Sequence, residues 1–201
     1  MKSMTMLHTT FILLLSLELG AGGGAVFTRW GKTTCPSGND VMYKGYAGGS
    51  HCGAKGGPGT TLCLPDSPIY AKHTTAGSGS YLYGTEYQVE HPSLPLRNMI
   101  QHDVPCVVCR SRHRRSAVMV PARNACFPEW HLEYKGYLFG GATTHTGSSD
   151  YVCVDGDPEP IRGGHEDKNG HLLYPVESKC GALPCPPYVD GWEMTCAVCT
   201  K

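Results

Sequence analysis

From residue 81 to residue 89 every second position is Tyr, Tyr, Thr, Tyr and Val. That period of two predicts a strand with one face against a core. Short runs rich in apolar, β-branched and aromatic residues over 41–46, 117–120, 132–137 and 151–154 predict further strands. Clusters of Gly, Pro, Asn, Asp and Ser separate them and supply turns. After residue 25 no stretch carries a helical period, so the pattern predicts an all-β chain. The first 25 residues differ from the rest. Lys2 is followed by the apolar run Phe11-Ile-Leu-Leu-Leu-Ser-Leu17 and by the small residues Gly20-Ala-Gly-Gly-Gly-Ala25. This reads as a secretory signal peptide over residues 1–25 with cleavage after Ala25, in preference to a buried N-terminal helix. The apolar run is too short to span a bilayer and no other long one follows, so no membrane partner is expected.

The rest of the chain repeats its landmarks. Thr34-Cys35-Pro36 precedes Tyr43-Lys-Gly-Tyr46, then a Gly-rich stretch that ends at Leu62-Cys63-Leu64. Ala125-Cys126-Phe127-Pro128 likewise precedes Tyr134-Lys-Gly-Tyr137 and a Gly/Thr/Ser stretch that ends at Val152-Cys153-Val154. Tyr81-Leu-Tyr83 with Glu86 matches His171-Leu-Leu-Tyr174 with Glu177, and Cys106-Val-Val-Cys109 matches Cys196-Ala-Val-Cys199. The cysteine landmarks recur at offsets of 90 or 91 residues. Near-constant offsets in a constant order predict two tandem homologous β units, 26–115 and 116–201. Each is short enough that its core would need covalent cross-links.

Composition narrows the function classes. Seventeen basic residues balance seventeen acidic ones, which argues against a general nucleic-acid binder. Glycine is about an eighth of the chain, with no Gly-X-Y run, so the chain is not a collagen triple helix. With 40% hydrophobic residues and 11 Tyr it is not a disordered chain. All eleven cysteines lie after Ala25, in the part that secretion would deliver to an oxidising compartment. Residues i and i+3 of a strand point to opposite faces, so Cys106 and Cys109 would each reach a different upstream partner. Zinc and redox readings of Cys-x-x-Cys remain open but are weaker, because secretion favours oxidation and no βαβ pattern surrounds either copy. Cys180 and Cys185 suit a small local loop. Cys52, in Ser50-His51-Cys52-Gly53, has no counterpart and is left as a free or intermolecular thiol.

Other candidate sites are few. Arg110, Arg112, Arg114 and Arg115 form a dense basic run at the junction of the units. It reads as a solvated linker, with glycan contact or processing after Arg115 as its alternatives. Asp155-Gly-Asp157-Pro-Glu159 and Glu166-Asp-Lys-Asn-Gly170 are acidic turns without the spacing of a Ca²⁺ loop. No His-Glu-x-x-His, Gly-x-Ser-x-Gly or phosphate-loop motif occurs, so neither an enzyme nor a metal or cofactor is expected. No Asn-x-Ser/Thr acceptor for N-glycosylation occurs. Tyr46 and Tyr137, with His51 and His145, could stack on sugars if they do not pack the core.

These landmarks resemble the C-terminal non-collagenous domain of type IV collagen and, more closely, that of the short-chain, spongin-like collagens of invertebrates. The resemblance rests on Cys35-Pro36, Tyr43-Lys-Gly-Tyr46, Leu62-Cys63-Leu64 and Cys106-Val-Val-Cys109, with their second copies. Trp30-Gly-Lys-Thr-Thr-Cys35 and the segment from Pro184 to Lys201 carry the closer likeness. It implies a nested pairing: Cys35–Cys109, Cys63–Cys106, Cys126–Cys199, Cys153–Cys196 and the local Cys180–Cys185. Unit one lacks that local pair, and Cys52 is extra. No collagenous repeat precedes the domain, so trimerisation by a triple helix does not carry over. The expected function is a secreted extracellular-matrix structural or interaction protein that contacts matrix proteins or its own copies. A secreted carbohydrate-binding, lectin-like module is the alternative.

Overall fold

The computed structural model describes residues 23–71, 79–90 and 94–201. Most of the expected signal peptide lies outside the described residues. Among the described residues ten strands follow in chain order: β1 (Val26–Trp30), β2 (Asn39–Gly49), β3 (Leu62–Pro65), β4 (Tyr83–Tyr87), β5 (Pro105–Ser111), β6 (Ala117–Pro121), β7 (His131–Gly140), β8 (Val152–Asp155), β9 (His171–Pro175) and β10 (Thr195–Thr200). Among the described residues the only helical element is a 3-10 turn, Arg97–Met99. The fold is all-β.

One mixed sheet runs β6-β10-β7-β8-β1-β5-β2-β4-β9, with β3 added on β2 and β9 also bonded to β7. Most pairs are antiparallel. The parallel ones are β4 with β9, through Thr85, Glu86 and Tyr87, and a single contact of β1 with β8, Trp30 opposite Val154. Both parallel contacts join the stretch before residue 115 to the stretch after it.

The strand expected over 81–89 is shorter at both ends than its pattern. Tyr81 and Leu82 are exposed, whereas Thr85 through Val89 are all buried. Alternation describes a strand with one wet face. Here the second face is covered too: the Lys168–Asn169 backbone bonds Glu86 Oε1, and Gln88 Nε2 donates to Gln101 Oε1 at 2.7 Å.

The glycine of each Tyr-Lys-Gly-Tyr segment has a steric cause. A side chain on Gly45 would run into the Leu64 carbonyl, and one on Gly136 into the Val154 carbonyl. Only a bare Cα lets β2 close on β3 and β7 on β8. The same closure seats two backbone bonds, Asp66 N–H to Lys44 O and Gly156 N–H to Lys135 O, each 3.0 Å.

The interior has two apolar clusters on opposite sides of the sheet. One gathers Trp30, Tyr87, Leu96, Cys106, Phe139 and Leu173. The other gathers Phe27, Cys109, Tyr134, Leu138, Cys153 and Cys196. Cys106 and Cys109 thus face different clusters from one strand, as a three-residue step in β geometry requires. Four disulfides tie into the sheet, Cys35–Cys109, Cys63–Cys106, Cys126–Cys199 and Cys153–Cys196, and a fifth, Cys180–Cys185, closes a local loop between β9 and β10. The first four close spans of 74, 43, 73 and 43 residues. Each such closure stabilises by roughly 4 kcal/mol on the chain-entropy model.

Candidate functional site

Three of the four arginines of the basic run are paired within the chain, two of them sharing one carboxylate. Asp40 takes Arg112 Nε at 2.7 Å and Arg110 Nη2 at 3.2 Å. The Arg112 bond and then the Arg110 bond hold the Asp40 carboxyl below the usual carboxylate range. Arg114 reaches inward, with Nη2 at 2.8 Å from Glu133 Oε1 and Nε at 2.6 Å from Thr200 Oγ1. Glu133 also accepts from Thr200 Oγ1 at 2.5 Å and from Asn39 Nδ2 at 2.7 Å. Arg115 is exposed, but its N–H and that of Ser116 both donate to Lys201 O. The bond after Arg115 therefore lies in a segment clasped to the end of β10.

The acidic turn after β8 is likewise spent on cations of this chain. Asp155 Oδ2 takes Arg29 Nε at 2.7 Å, and its Oδ1 takes the Asp157 N–H at 3.0 Å. Lys32 lies 3.0 Å from Asp157 and 3.4 Å from Glu159, and Glu159 accepts from Thr33 Oγ1 at 2.9 Å. Burial would raise the Glu159 carboxyl, but the Thr33 bonds and the Lys32 charge outweigh it and leave it below its ordinary value. Among the described residues no group of three His, Cys, Asp or Glu side chains is placed to hold a metal ion.

Cys52 is a half-exposed free thiol. Its N–H donates to Gly170 O and its carbonyl accepts from Gly147 N–H, so loops distant in sequence fix its turn. The aromatic and histidine candidates are dispersed. His51 meets the Tyr83 ring edge-on, with centroids 5.0 Å apart, and shares with Tyr81, Tyr83, Gly57 and Gly79 a cavity of about 330 Å³. Tyr46 lines a different cavity beside Tyr83. Tyr137 packs against the first core cluster, and His145 sits edge-on to Tyr174 at 5.5 Å.

The pattern reading missed an open edge. β8 is bonded on both sides, by β7 and β1, whereas β3, the strand at the matching repeat position, is bonded by β2 and has no second neighbour among the described residues. Phe27 of β1 is 7% exposed, but Val118 of β6, ninety-one residues on, is 43% exposed. Tyr134, beside β8, is 5% exposed, while Tyr43 is 39% and Leu62 is 46%. One copy of an apolar contact is covered and the other is bare. The repeat offset held the signal, because it matches Val118 to Phe27.

No family model matches the chain, and no curated protein matches it. No helix among the described residues is long and apolar enough to cross a membrane.

Proposed function

We propose that the chain is a secreted extracellular-matrix interaction protein. It comprises two homologous β units of the type IV collagen non-collagenous kind and assembles by protein–protein contact, including contact between its own copies. The uncovered edge at β3 carries this reading. Within the chain β1 meets β8 at Trp30 and Val154, and Phe27 and Trp30 are buried there, Phe27 in the cluster that holds Tyr134 and Cys153. The β6 of one copy laid along β3 of the next would repeat that contact, with Val118 and Pro121 where Phe27 and Trp30 sit. Such a contact is heterologous, so it builds a ring or a filament, according to whether its rotation closes. Five disulfides fit an oxidising compartment. The paired spans of 74 and 73 residues, and of 43 and 43, support the two-unit reading.

Sedimentation of the secreted protein at micromolar concentration tests the assembly. The expected result is an oligomer that Val118→Glu or Leu62→Glu converts to a monomer with all five disulfides retained. A wild-type chain that sediments as a monomer overturns this contact. The second reading, a carbohydrate-binding module, draws on the Tyr-walled cavity at His51. Selective binding on a glycan array by the disulfide-intact protein would favour it.

A further inference from the structure

An acid pair, Glu86 buried and Asp103 half-buried, sits beside the β4–β9 pairing that joins the two halves of the chain. Glu86 and Asp103 oppose each other in an isolated antiparallel bridge. Like charges directly opposite each other destabilise a sheet, so the arrangement needs a compensating cause. Glu86 is 2% exposed. Its Oε1 accepts the N–H groups of Lys168 at 2.9 Å and Asn169 at 3.2 Å. Its Oε2 is buried and takes no donor among the described residues. An unmatched buried acceptor of this kind costs about 1–3 kcal/mol, and more when charged.

Both acids line a cavity of about 270 Å³ whose remaining wall is chiefly apolar: Tyr46, Ala47, Tyr83, Val104 and Ile161. The space is below the usual range for a drug-sized ligand or cofactor, and suits a single side chain or a short amine. Lys168 lies at the rim, but its Nζ is engaged by Glu166 at 3.1 Å. Burial, and then the negative charges of Asp103 and Asp167, raise the Glu86 carboxyl despite its two backbone bonds.

The fold holds a second version of the same pair. Glu177 opposes Glu193 in the matching isolated bridge, and there Lys179 Nζ stands 3.7 Å from Glu177. In the enclosed copy Lys168 is near enough for its charge to act on Asp103 and Glu86, but its Nζ is bonded to Glu166 and Glu86 Oε2 takes no donor among the described residues. We propose that the cavity at Glu86 takes a primary ammonium carried on an apolar stem, the chemistry of a lysine side chain. The ammonium meets Glu86 Oε2 and the Asp103 carboxylate, and the stem lies between Tyr46 and Tyr83. A neutral sugar suits the site less, because its many hydroxyls would face apolar wall. This proposal stands independently of the matrix-assembly reading.

The test is an NMR titration of the disulfide-intact protein with acetyl-Gly-Lys-Gly-amide and with n-pentylammonium. Acetyl-Gly-norleucine-Gly-amide and methyl glucoside serve as neutral probes. The expected result is millimolar binding of the cationic probes, with shifts at Tyr83, Thr85, Val104 and Gly170, and at least tenfold weaker binding of the neutral ones. The peptide and the free amine separate a lysine presented by a polypeptide from a small amine. Glu86→Gln keeps an acceptor for the two backbone N–H groups while removing the charge, and should weaken the cationic probes at least tenfold. Asp103→Asn, whose backbone bonds do not involve the carboxyl, is the second variant. Equal binding of the neutral probes, no binding by the wild type, or undiminished binding by folded variants each overturns the proposal.

Discussion

Burial alone would push the Glu133 carboxyl up. Hydrogen bonds from Thr200, Arg114 and Asn39, together with the Arg114 charge, outweigh that and leave it below its ordinary value. A carboxyl depressed in the folded state contributes stability that is fully present above its unfolded pKa, near 4.3 for a glutamate. That contribution is lost as pH falls from there through the folded value, so urea midpoints should drop below about pH 4. Arg114→Ala leaves Glu133, whose side chain is fully covered, without its cation. The expected loss is about 3–5 kcal/mol in urea unfolding at pH 7, with the acid-limb dependence weakened. Arg115→Ala, on an exposed neighbour, should stay within about 0.5 kcal/mol. Equal effects of the two substitutions would remove Arg114 from its structural role. The basic run advertised charge, but its partners Asp40 and Glu133 lie 72 and 19 residues from their arginines. Spacing along the chain could not show them.

At the level of strands, local pattern revealed what local physics controls. Runs over 41–46, 117–120 and 132–137 lie inside β2, β6 and β7, because β-branched and aromatic residues suit a pleated, half-buried surface. The pattern predicts no strand at β1, β3 or β9. β3 is four residues long with no fully buried position, and β9 begins with the buried His171, whose Nδ1 stands 2.9 Å from Thr85 Oγ1 of β4. Tertiary pairing, not propensity, makes them strands. Ala25, read as the last residue before cleavage, also belongs to the folded body. Its N–H donates to Arg114 O and its carbonyl accepts from Ser111. The acid cavity was hidden for a similar reason, since Asp103 and Ile161 join Glu86 only through the sheet. One element-scale prediction uses the repeated glycine. Gly45→Ala and Gly136→Ala should each cost about 1–3 kcal/mol, because a methyl group there overpacks a backbone carbonyl. Thermal midpoints would fall by roughly 2–4 °C per kcal/mol. Alanine at Gly38, where nothing surrounds the Cβ position but φ is +83°, separates crowding from backbone strain. A Gly136→Ala variant as stable as the wild type would mean that crowding is not the cause, since no positive φ adds strain at that position.

For the whole molecule the question is whether two repeats make two folding units. The chain order of landmarks divides it near residue 115, but the packing does not. The first core cluster joins Trp30, Tyr87 and Cys106 to Phe139, Val154 and Leu173, and the second joins Phe27 and Cys109 to Tyr134 and Cys196. β4 pairs with β9 and β1 with β8 across the division, and Arg29–Asp155 and Arg114–Glu133 add ion pairs across or beside it. A unit expressed alone would expose half of each cluster and an unpaired edge, with fewer than 95 residues to offset the loss. Segments 26–115 and 116–201 produced separately under oxidising conditions should therefore give poorly dispersed NMR spectra and scrambled disulfides. Refolded together, they should recover the native pairing and elute as one species. Two well-folded separate units would show that the contacts across residue 115 are dispensable. The same interlock bears on processing after Arg115. That bond is held by Arg115, Ser116 and Lys201 in a reciprocal set of backbone bonds, so the native protein should resist dibasic-site protease and run as one chain on a reducing gel. Two fragments of nearly equal size would mean that the clasp opens, and their co-elution before denaturation would still follow from the shared cores.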